Sequence, residues 1–406
     1  MNNQHEVQLK RSLSLTLVTF YGIGTILGAG IYVLVGKVAG YAGMYTLLAF
    51  VLASILAGFS AFSYAELAVR YPRSAGEAIY VRHGLRSERL ARVVGLLIVL
   101  VGAVSTATLL HGFVGYLNIF VQWPGWLVIV VLVLVMTAIV VWGIGQSVII
   151  ASLMTVVEIS GLLLILWVAR DSFALVPAKF SELVPGWDGG VWIGILSGAF
   201  IAFYAFIGFE DIVNVAEEVK SPEVNLPRAI IIALVVTTTF YILVSLVSIL
   251  AMPTQQLAQS DAPLAMLYEH KTGMHPTVIT LISLISVLNG ALVQIIMASR
   301  VLYGMSRQGW LPHVLGNVHS VTHTPVTSTL VVGGVILLFA LFLPLLSLAK
   351  LTSFITLTIF AMINLALLLL KLRGEPVAGF CVPLWVPVCG FICSSAFVLF
   401  QLSTYL

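Results

Sequence analysis

The chain has few charged residues and few cysteines. Only 9% of its 406 residues are Asp, Glu, Lys or Arg, whereas 60% are hydrophobic. Because soluble domains carry about 25% charged residues, this composition excludes a soluble globular protein and predicts an integral membrane protein. Its three cysteines, Cys381, Cys389 and Cys393, are predicted to pack as small apolar side chains in the last membrane span, without disulfides or bound metal.

Signatures of enzymes and of ATP-driven pumps are also missing. The sequence contains neither a GxxxxGKS/T phosphate loop nor an HExxH zinc motif. The predicted loops at 171–189, 214–227, 253–276 and 304–325 are too short for a catalytic domain. We therefore expect no enzyme activity, no cofactor and no metal site, and we expect any ligand to bind inside a helix bundle. A net charge of +3 gives no reason to expect a nucleic-acid partner.

Apolar stretches of about 18 residues or more predict membrane-spanning helices. Eleven such stretches occur, at 13–36, 42–68, 92–121, 125–143, 147–169, 190–213, 228–252, 277–300, 326–347, 351–371 and 380–403. Short cytoplasmic loops carry an excess of Lys and Arg. If the N-terminus is cytoplasmic, fourteen of the nineteen Lys and Arg residues lie on that side, which predicts this orientation.

Glycines interrupt the first predicted span at mid-depth. Gly22, Gly24, Gly28 and Gly30 occur within nine residues, and glycine weakens a helix and tolerates dihedral angles that other residues avoid. Open backbone at membrane depth persists only where it is buried in protein or lines a cavity. The glycines therefore indicate either a broken helix that offers N–H and C=O groups to a ligand, or a close contact between two helices.

A second interruption lies in the sixth span, where apolar sequence runs directly into Glu210 and Asp211. It occupies the place in the second group of five helices that the glycines occupy in the first. An odd number of helices inverts the second group, and paired broken helices in two inverted halves indicate a transporter site at the bilayer midplane. We expect a first repeat at 13–169, a second, inverted repeat at 190–371 and an additional helix at 380–403.

Carboxyl groups inside the predicted spans are costly and mark functional sites. Glu158 lies at the centre of the fifth span, where a charge costs about 2.5–3.5 kcal/mol on insertion scales, so it must face the protein interior. Glu210 is a second candidate for a titrating group, and Asp211 is predicted to cap the helical segment that follows. Glu66 precedes Arg70 by four residues, which predicts a helical ion pair, with a gating role as the alternative.

Polar residues also recur at helical spacing on three spans. On the fifth span Ser152 and Thr155 precede Glu158 at three-residue steps, and Ser283, Ser286 and Asn289 make a similar stripe on the eighth span. The two stripes could face each other across the bundle, either as part of a site or as a hydrogen-bonded seam that only holds the helices together. His111, with Ser105 and Thr108, forms a polar strip on the third span. His111 is predicted to be a packed, hydrogen-bonded residue and not a proton carrier.

Several motifs are more specific than these patterns. The strongest runs from Gly208-Phe209-Glu210 through Ala216-Glu217-Glu218-Val219-Lys220-Ser221-Pro222 to Leu226-Pro227-Arg228-Ala229-Ile230. Others are Gly28-Ala29-Gly30-Ile31, Tyr64-Ala65-Glu66-Leu67 and Ala298-Ser299-Arg300-Val301-Leu302-Tyr303. Together they resemble the amino acid/polyamine/organocation transporter superfamily over the first ten helices. The resemblance implies an all-α, LeuT-like fold of 5+5 inverted repeats, with helices 1 and 6 broken and about eleven transmembrane helices.

The same resemblance implies a set of substrate-binding residues. The amides of Ala29 and Gly30 are expected to take the substrate carboxylate, and the carbonyls of Ile26, Tyr204 and Ile207 the α-ammonium. Tyr204 stands where relatives carry a bulky aromatic residue that closes over the substrate. The substrate-binding set is Ile26, Gly28, Ala29, Gly30, Tyr204, Phe206, Ile207 and Gly208; selectivity for the substrate side chain is expected from Thr106, Thr108, His111, Phe206 and Ser353.

The chain departs from the superfamily at the fifth helix. Many relatives have a lysine there whose ammonium replaces a sodium ion, whereas this chain has Glu158. A carboxylate that faces the carbonyls of the opened helix 1 is repelled unless it is protonated or bridged by a cation. The coupling groups are therefore predicted to be Glu158 and Glu210, with H+ as the coupling ion and Na+ as the alternative.

These observations predict a secondary transporter that carries amino acids across the cell membrane, a proton-coupled symporter. Alternatives within the class are an exchanger, a sodium-coupled transporter and a polyamine transporter, and from another class a sensor that binds amino acids without transporting them. The loop after the third helix, Gln122-Trp123-Pro124-Gly125, lacks the cysteine through which some relatives bind a glycoprotein. No disulfide-linked subunit is expected, and the protein is predicted to be a monomer or homodimer in the lipid bilayer.

Overall fold

The computed structural model describes residues 11, 13–28, 30–73, 76–142, 147–216, 219–319, 322, 324–377 and 379–403. Within these ranges the chain is helical, and its only β-type pairing is an isolated bridge between Leu13 and Val219. The all-α prediction is confirmed. In chain order the α-helices of the described residues are α1 (Leu15–Leu27), α2 (Gly30–Ala42), α3 (Thr46–Arg70), α4 (Gly76–Leu85), α5 (Glu88–Leu117), α6 (Gly125–Trp142), α7 (Ser147–Val168), α8 (Val176–Leu183), α9 (Gly189–Phe203), α10 (Asp211–Asn214), α11 (Pro222–Ala251), α12 (Thr254–Gln259), α13 (Pro263–Thr272), α14 (Thr277–Arg307), α15 (Val326–Phe342), α16 (Leu345–Leu372) and α17 (Trp385–Ser403).

Eight described segments are long and apolar enough to cross a membrane. The first of these, Leu15–Arg70, contains two crossings, α1 with α2 and then α3, while α6 and α15 are shorter apolar helices. The described chain therefore has the eleven predicted crossings. Large apolar side chains stay exposed on its outer helices, for example Leu153 at 63% and Trp167 at 66%, as expected of surfaces that face lipid. The protein is a multi-pass membrane protein.

Successive crossings alternate in direction. We call the side on which α1 begins the N side, and the opposite side the far side. The short helix α4 connects α3 to α5 on the N side, whereas α8, α12 and α13 lie in far-side connections. The α1 helix approaches the first break from the N side, and α9 approaches the second break from the far side. The two broken crossings thus run in opposite directions, as the odd number of helices per group requires.

Several helices extend beyond the predicted apolar spans. The α5 helix begins at Glu88 instead of residue 92, α11 begins at Pro222 instead of residue 228, and α14 continues past residue 300 to Arg307. These extensions carry charged and polar residues, so hydropathy alone does not detect them. The α17 helix begins at Trp385, and Cys381 therefore lies in the preceding loop and not in the last span, contrary to the prediction.

An aromatic cluster holds the broken sixth crossing against its neighbours. The ring of Tyr64 on α3 makes edge contacts with Phe209 and with Phe360 on α16, at centroid distances of 5.6 and 5.4 Å. Phe203, at the end of α9, also meets Phe360 edge to face at 5.6 Å. All four side chains are fully buried, so the two parts of the broken crossing share one rigid support.

The predicted Glu66–Arg70 ion pair is present, and it belongs to a larger network. Glu66 Oε1 accepts from Arg70 Nη2 at 2.7 Å, while Glu66 Oε2 lies 2.7 Å from Lys371 Nζ and accepts from the Val382 N–H at 2.8 Å. Arg70 also donates to the carbonyl of Glu375. The buried carboxylate therefore fastens the end of α3 to the loop between α16 and α17.

Candidate functional site

The first break separates α1 from α2. The α1 helix ends at Leu27, and Gly28 has a φ of +21°, which favours glycine. The Gly28 carbonyl accepts a hydrogen bond of 2.6 Å from Ser286 Oγ, and the Ile26 carbonyl accepts one from the Tyr241 hydroxyl. Side chains of α14 and α11 thus satisfy backbone groups that the break removes from the helix.

The second break separates α9 from α10. One turn of 3₁₀ helix, Tyr204–Phe206, is followed by Ile207 in an extended conformation and by Gly208 at a φ of +134°. The Gly208 N–H then donates to Glu210 Oε2 at 2.8 Å. Both helix breaks predicted from the sequence are therefore confirmed.

The two breaks cross in direct backbone contact. A Cβ atom placed on Gly30 would lie 2.6 Å from the Ala205 Cα, and one on Gly208 would lie 2.8 Å from the Thr25 carbonyl oxygen. The Tyr241 hydroxyl contacts the backbone of both breaks, because it is within hydrogen-bond distance of the Ile26 carbonyl in the first break and the Ala205 carbonyl in the second. Glycine is required at this crossing since any side chain would separate the two backbones.

A small cavity lies at the crossing. Its volume is about 20 Å³, and it is lined by Thr25, Ile26, Gly28, Gly30, Ser105, Leu109, Tyr204, Ile207, Gly290 and Gln294. A cavity of that size holds about one water molecule. Its lining combines main-chain groups, hydroxyls, one amide and apolar side chains, and none of these lining residues is charged.

Five of the predicted substrate-binding residues line this cavity: Ile26, Gly28, Gly30, Tyr204 and Ile207. Gly208 lies behind it in the crossing, and the buried Phe206 ring packs edge to face on Tyr241 at 5.0 Å. Ala29 lies outside the described residues. The roles assigned to all of these residues in substrate binding stay predictions.

The remaining lining residues were not in the predicted set. Ser105 and Leu109 are four residues apart and share one face of α5, and Gly290 and Gln294 are related in the same way on α14. Thr25 belongs to the glycine-rich break itself. Ser105 belongs to the polar strip of the third span, whereas the eighth-span stripe of Ser283, Ser286 and Asn289 does not include Gly290 or Gln294. The rotation of each helix toward the break depends on how the helices pack.

Of the residues predicted to select the substrate side chain, none is among those that line the cavity. Thr106 and Thr108 donate to carbonyls of their own helix, Gly102 and Val104. His111 makes a 2.9 Å contact with the Ala340 carbonyl on α15, as expected of a packed, hydrogen-bonded histidine. The selectivity roles of these residues stay predictions.

Glu158 lies on α7, where α7 meets α1 and α14. It is fully buried, and its Oε1 accepts from Asn289 Nδ2 at 2.9 Å, while Oε2 has no hydrogen-bond partner among the described residues. A Cβ on Gly24 would lie 2.0 Å from Thr155 Oγ1 and 3.0 Å from Asn289 Nδ2. The absence of a side chain at Gly24 therefore lets α1 approach the Thr155 and Asn289 side chains that flank Glu158.

Glu210 and Asp211 are also buried, on the N side of the second break. Asp211 Oδ2 accepts from Gln294 Nε2 at 2.7 Å, and neither acidic side chain caps α10. The prediction that Asp211 caps the following helical segment is therefore wrong, because the Gln294 amide on α14 binds its carboxylate instead. Glu217 and Glu218 of the sequence motif lie outside the described residues.

The sequence profile of the family described as amino acid permease matches residues 13–405. The chain belongs to the amino acid permease family. It is 31% identical to the branched-chain amino acid permease BcaP of Bacillus subtilis (strain 168), over 90% of this chain and 82% of that protein. It is also 30% identical to the vacuolar cationic amino acid transporter 2 of Arabidopsis thaliana, over 90% of this chain and 61% of that longer protein.

A solved structure of a Na+-coupled sialic acid symporter, in a substrate-bound outward-open state, has the same fold. The TM-score is 0.65 with 13% sequence identity, and the match covers 95% of this chain and 89% of that one. At this identity the match establishes the LeuT-like fold and nothing about the substrate. The permease is thus a transporter with an amino acid substrate and not an enzyme.

Two hydrogen-bonded contacts border the cavity of the permease. On the far side, the Tyr204 hydroxyl lies 3.0 Å from Ser105 Oγ and donates to the Ser105 carbonyl at 3.1 Å. On the N side, Gln294 lines the cavity and donates to Asp211. An amino acid is larger than this cavity, so the site must widen before a substrate can bind.

Proposed function

We propose that this permease is a proton-coupled symporter for amino acids with uncharged side chains. The proposal for the substrate is supported by the lining of the cavity, in which all side chains are neutral. A buried cationic or anionic group would need an opposite charge beside it. A branched-chain or other neutral amino acid therefore suits this lining better than a cationic one.

In this proposal the backbone of the two breaks binds the invariant part of the substrate. The α2 helix begins at Gly30 beside the cavity, and the N-terminus of a helix favours a carboxylate through its free N–H groups and dipole. The carbonyls of Ile26, Tyr204 and Ile207 would receive the α-ammonium. The Ile26 carbonyl already accepts from Tyr241, but a carbonyl oxygen has two lone pairs and can accept a second hydrogen bond.

The single observation that carries the proposal for the coupling ion is the environment of Glu158. None of the ion pairs among the described residues involves Glu158, and its Oε2 lacks a hydrogen-bond partner. A buried carboxylate without a counter-charge is costly, and binding a proton removes that cost. Glu158 would take up the proton when the site is open to one side and release it on the other.

Sodium coupling is the second candidate. Two neighbouring oxygens, Glu158 Oε2 and Asn289 Oδ1, have no partner among the described residues. Hard cations take carboxylate and amide oxygens as ligands, so a sodium ion could bridge them.

Orientation and location complete the proposal. The excess of Lys and Arg on the N side supports a cytoplasmic N-terminus in the cell membrane. The chain is proposed to act as a monomer or homodimer without a disulfide-linked subunit.

Uptake by purified protein in liposomes tests the proposal. Accumulation of labelled neutral amino acids is expected under an inward proton gradient, and its loss is expected when an ionophore collapses the gradient. Accumulation that follows a sodium gradient would support the second candidate. Uptake that requires amino acid inside the liposomes would indicate an exchanger. Competition by an amine without a carboxylate would indicate a polyamine transporter. Binding without uptake would indicate a sensor.

A further inference from the structure

Three carboxyl groups are buried together on the N side of the second break. Glu77 on α4, Glu210 and Asp211 are 1%, 7% and 1% exposed. A Cβ on Gly76 would lie 2.9 Å from Val213 Cγ2 on α10, so the start of α4 packs directly on that half-helix. We call Glu77, Glu210 and Asp211 the inner carboxylate cluster.

The cluster has no ion-pair partner within the part of the chain that the structure describes. None of the ion pairs among the described residues involves its three members. Glu210 and Asp211 each accept one hydrogen bond, from the Gly208 N–H and from Gln294 Nε2, but both oxygens of Glu77 lack a hydrogen-bond partner. Three buried negative charges at this place would repel one another and would each lose hydration, so they cannot all stay ionised.

Buried polar groups around the cluster are also without partners. Among the described residues, both side-chain polar atoms of Asn214 and the hydroxyl of Tyr64 have none, and their residues are 5% and 0% exposed. The Asn214 amide is close to Glu77. The Tyr64 hydroxyl is close enough to all three carboxyl groups of the cluster to interact with their charges. The Asn214 amide offers both a donor and an acceptor, so it can donate to an ionised Glu77 or accept from a protonated one; only a protonated Glu77 also avoids a third buried negative charge.

A metal ion fits this place less well than a proton does. No group of three or more His, Cys, Asp or Glu residues in the described part of the chain is arranged to hold a metal ion. The titratable groups facing the cluster are Tyr64 from α3 and Tyr80 from α4, while α10 and α14 contribute the neutral amides of Asn214 and Gln294. Burial raises the pKa of Glu77 to about 8, and the charge of Glu210 acts in the same direction.

We propose that the inner carboxylate cluster is a proton-binding site, separate from Glu158, in which Glu77 carries the proton while α4 is packed on α10. The proton removes the charge that would otherwise be buried against Glu210 and Asp211. This inference rests on the geometry of the cluster and does not depend on which ion drives transport.

Infrared spectroscopy of the purified protein in detergent tests the site without transport or substrate. The carbonyl stretch of protonated carboxyl groups is followed from pH 5 to pH 10 in the wild type, in E77Q and in E182Q, whose Glu182 is exposed on α8. We expect a component that disappears with a midpoint near pH 8 in the wild type. It should be absent from E77Q and unchanged in E182Q. The same component in E77Q would overturn the proposal.

Two further measurements keep the proposal testable. The first applies if E77Q does not fold, and the second tests whether a metal cation and not a proton binds at the cluster. In E210Q one neighbouring negative charge is removed, so the midpoint of the Glu77 component should move to lower pH; an unchanged midpoint would contradict the cluster. Adding sodium or potassium chloride at constant pH should leave the component in place, and its loss would show that a metal cation displaces the proton. E158Q should retain the component, which separates this site from the proposed coupling site.

Discussion

Replacing Glu66 with glutamine should destabilise the permease strongly. The Glu66 side chain is fully buried and is the shared anion of two cations, Arg70 and Lys371, whose side chains are 6% and 10% exposed. In E66Q both cations remain buried without a carboxylate. Arg70 keeps the carbonyls of Glu375 and Pro376 as acceptors, and Lys371 keeps the Val382 carbonyl and Cys381 Sγ.

Removing one partner of a buried ion pair costs about 3–5 kcal/mol, because an uncompensated charge is left behind. Here one carboxylate serves two cations, so we expect the upper part of that range for E66Q. The double variant E66Q/K371M removes one stranded cation and should recover part of the loss. Glu66 also accepts a hydrogen bond from the Val382 N–H and thereby fixes the loop that leads to α17, which adds to the loss of stability expected in E66Q.

Denaturant unfolding in mixed micelles measures this loss, and Glu88 offers a matched control on the same protein. Glu88 pairs with Arg82 at 2.9 Å, but both side chains are about half exposed. Exposed pairs contribute about 0–1 kcal/mol, so E88Q should unfold almost as the wild type does. If E66Q and E88Q lose the same small amount, the network around Glu66 does not support the fold as argued.

Three other predictions concern the breaks and the cluster. G24A places a Cβ 2.0 Å from Thr155 Oγ1; it should cost about 1–3 kcal/mol of unfolding free energy, and adding T155A should recover part of it, whereas an unchanged G24A would contradict the close approach. Y204F loses the hydrogen bond to the Ser105 carbonyl and should speed substrate release toward the far side, measured as efflux from loaded liposomes; unchanged efflux would contradict a far-side contact there. Burial raises the pKa of Glu77 from an ordinary 4.5 to about 8, so the folded state binds more protons and stability should fall as pH rises between these values. Unfolding of E77Q should depend less steeply on pH in this range, and an equal slope in E77Q would refute the assignment.

Much of this fold is predictable from the sequence because a membrane imposes strong rules. Spans must be long and apolar, and glycines at mid-depth in one of them indicate a break, so the crossings and both breaks could be located in advance. Gly24 and Gly30 were singled out by position alone. The residues that each glycine contacts depend on how the helices pack: Gly24 meets Thr155 and Asn289, and Gly30 meets Ala205.

The inner carboxylate cluster shows what the sequence alone does not reveal. Glu77 follows α3 in a polar stretch for which hydropathy predicts a loop. It is buried because α4 packs against α10. Lys371 as the second partner of Glu66 was missed for the same reason, since the two residues are distant in sequence and meet through the loop before α17. Contacts of this kind require the three-dimensional arrangement.

Proton-driven uptake by the Glu158→Gln variant is the most direct test of the account. Glutamine retains an oxygen for the Asn289 hydrogen bond but cannot carry the proton. Liposomes containing wild type or E158Q are given the same inward proton gradient, and exchange of labelled for internal amino acid is measured in parallel as a control for folding and binding. The account predicts that E158Q retains exchange and loses gradient-driven accumulation. Accumulation by E158Q equal to that of the wild type would contradict it.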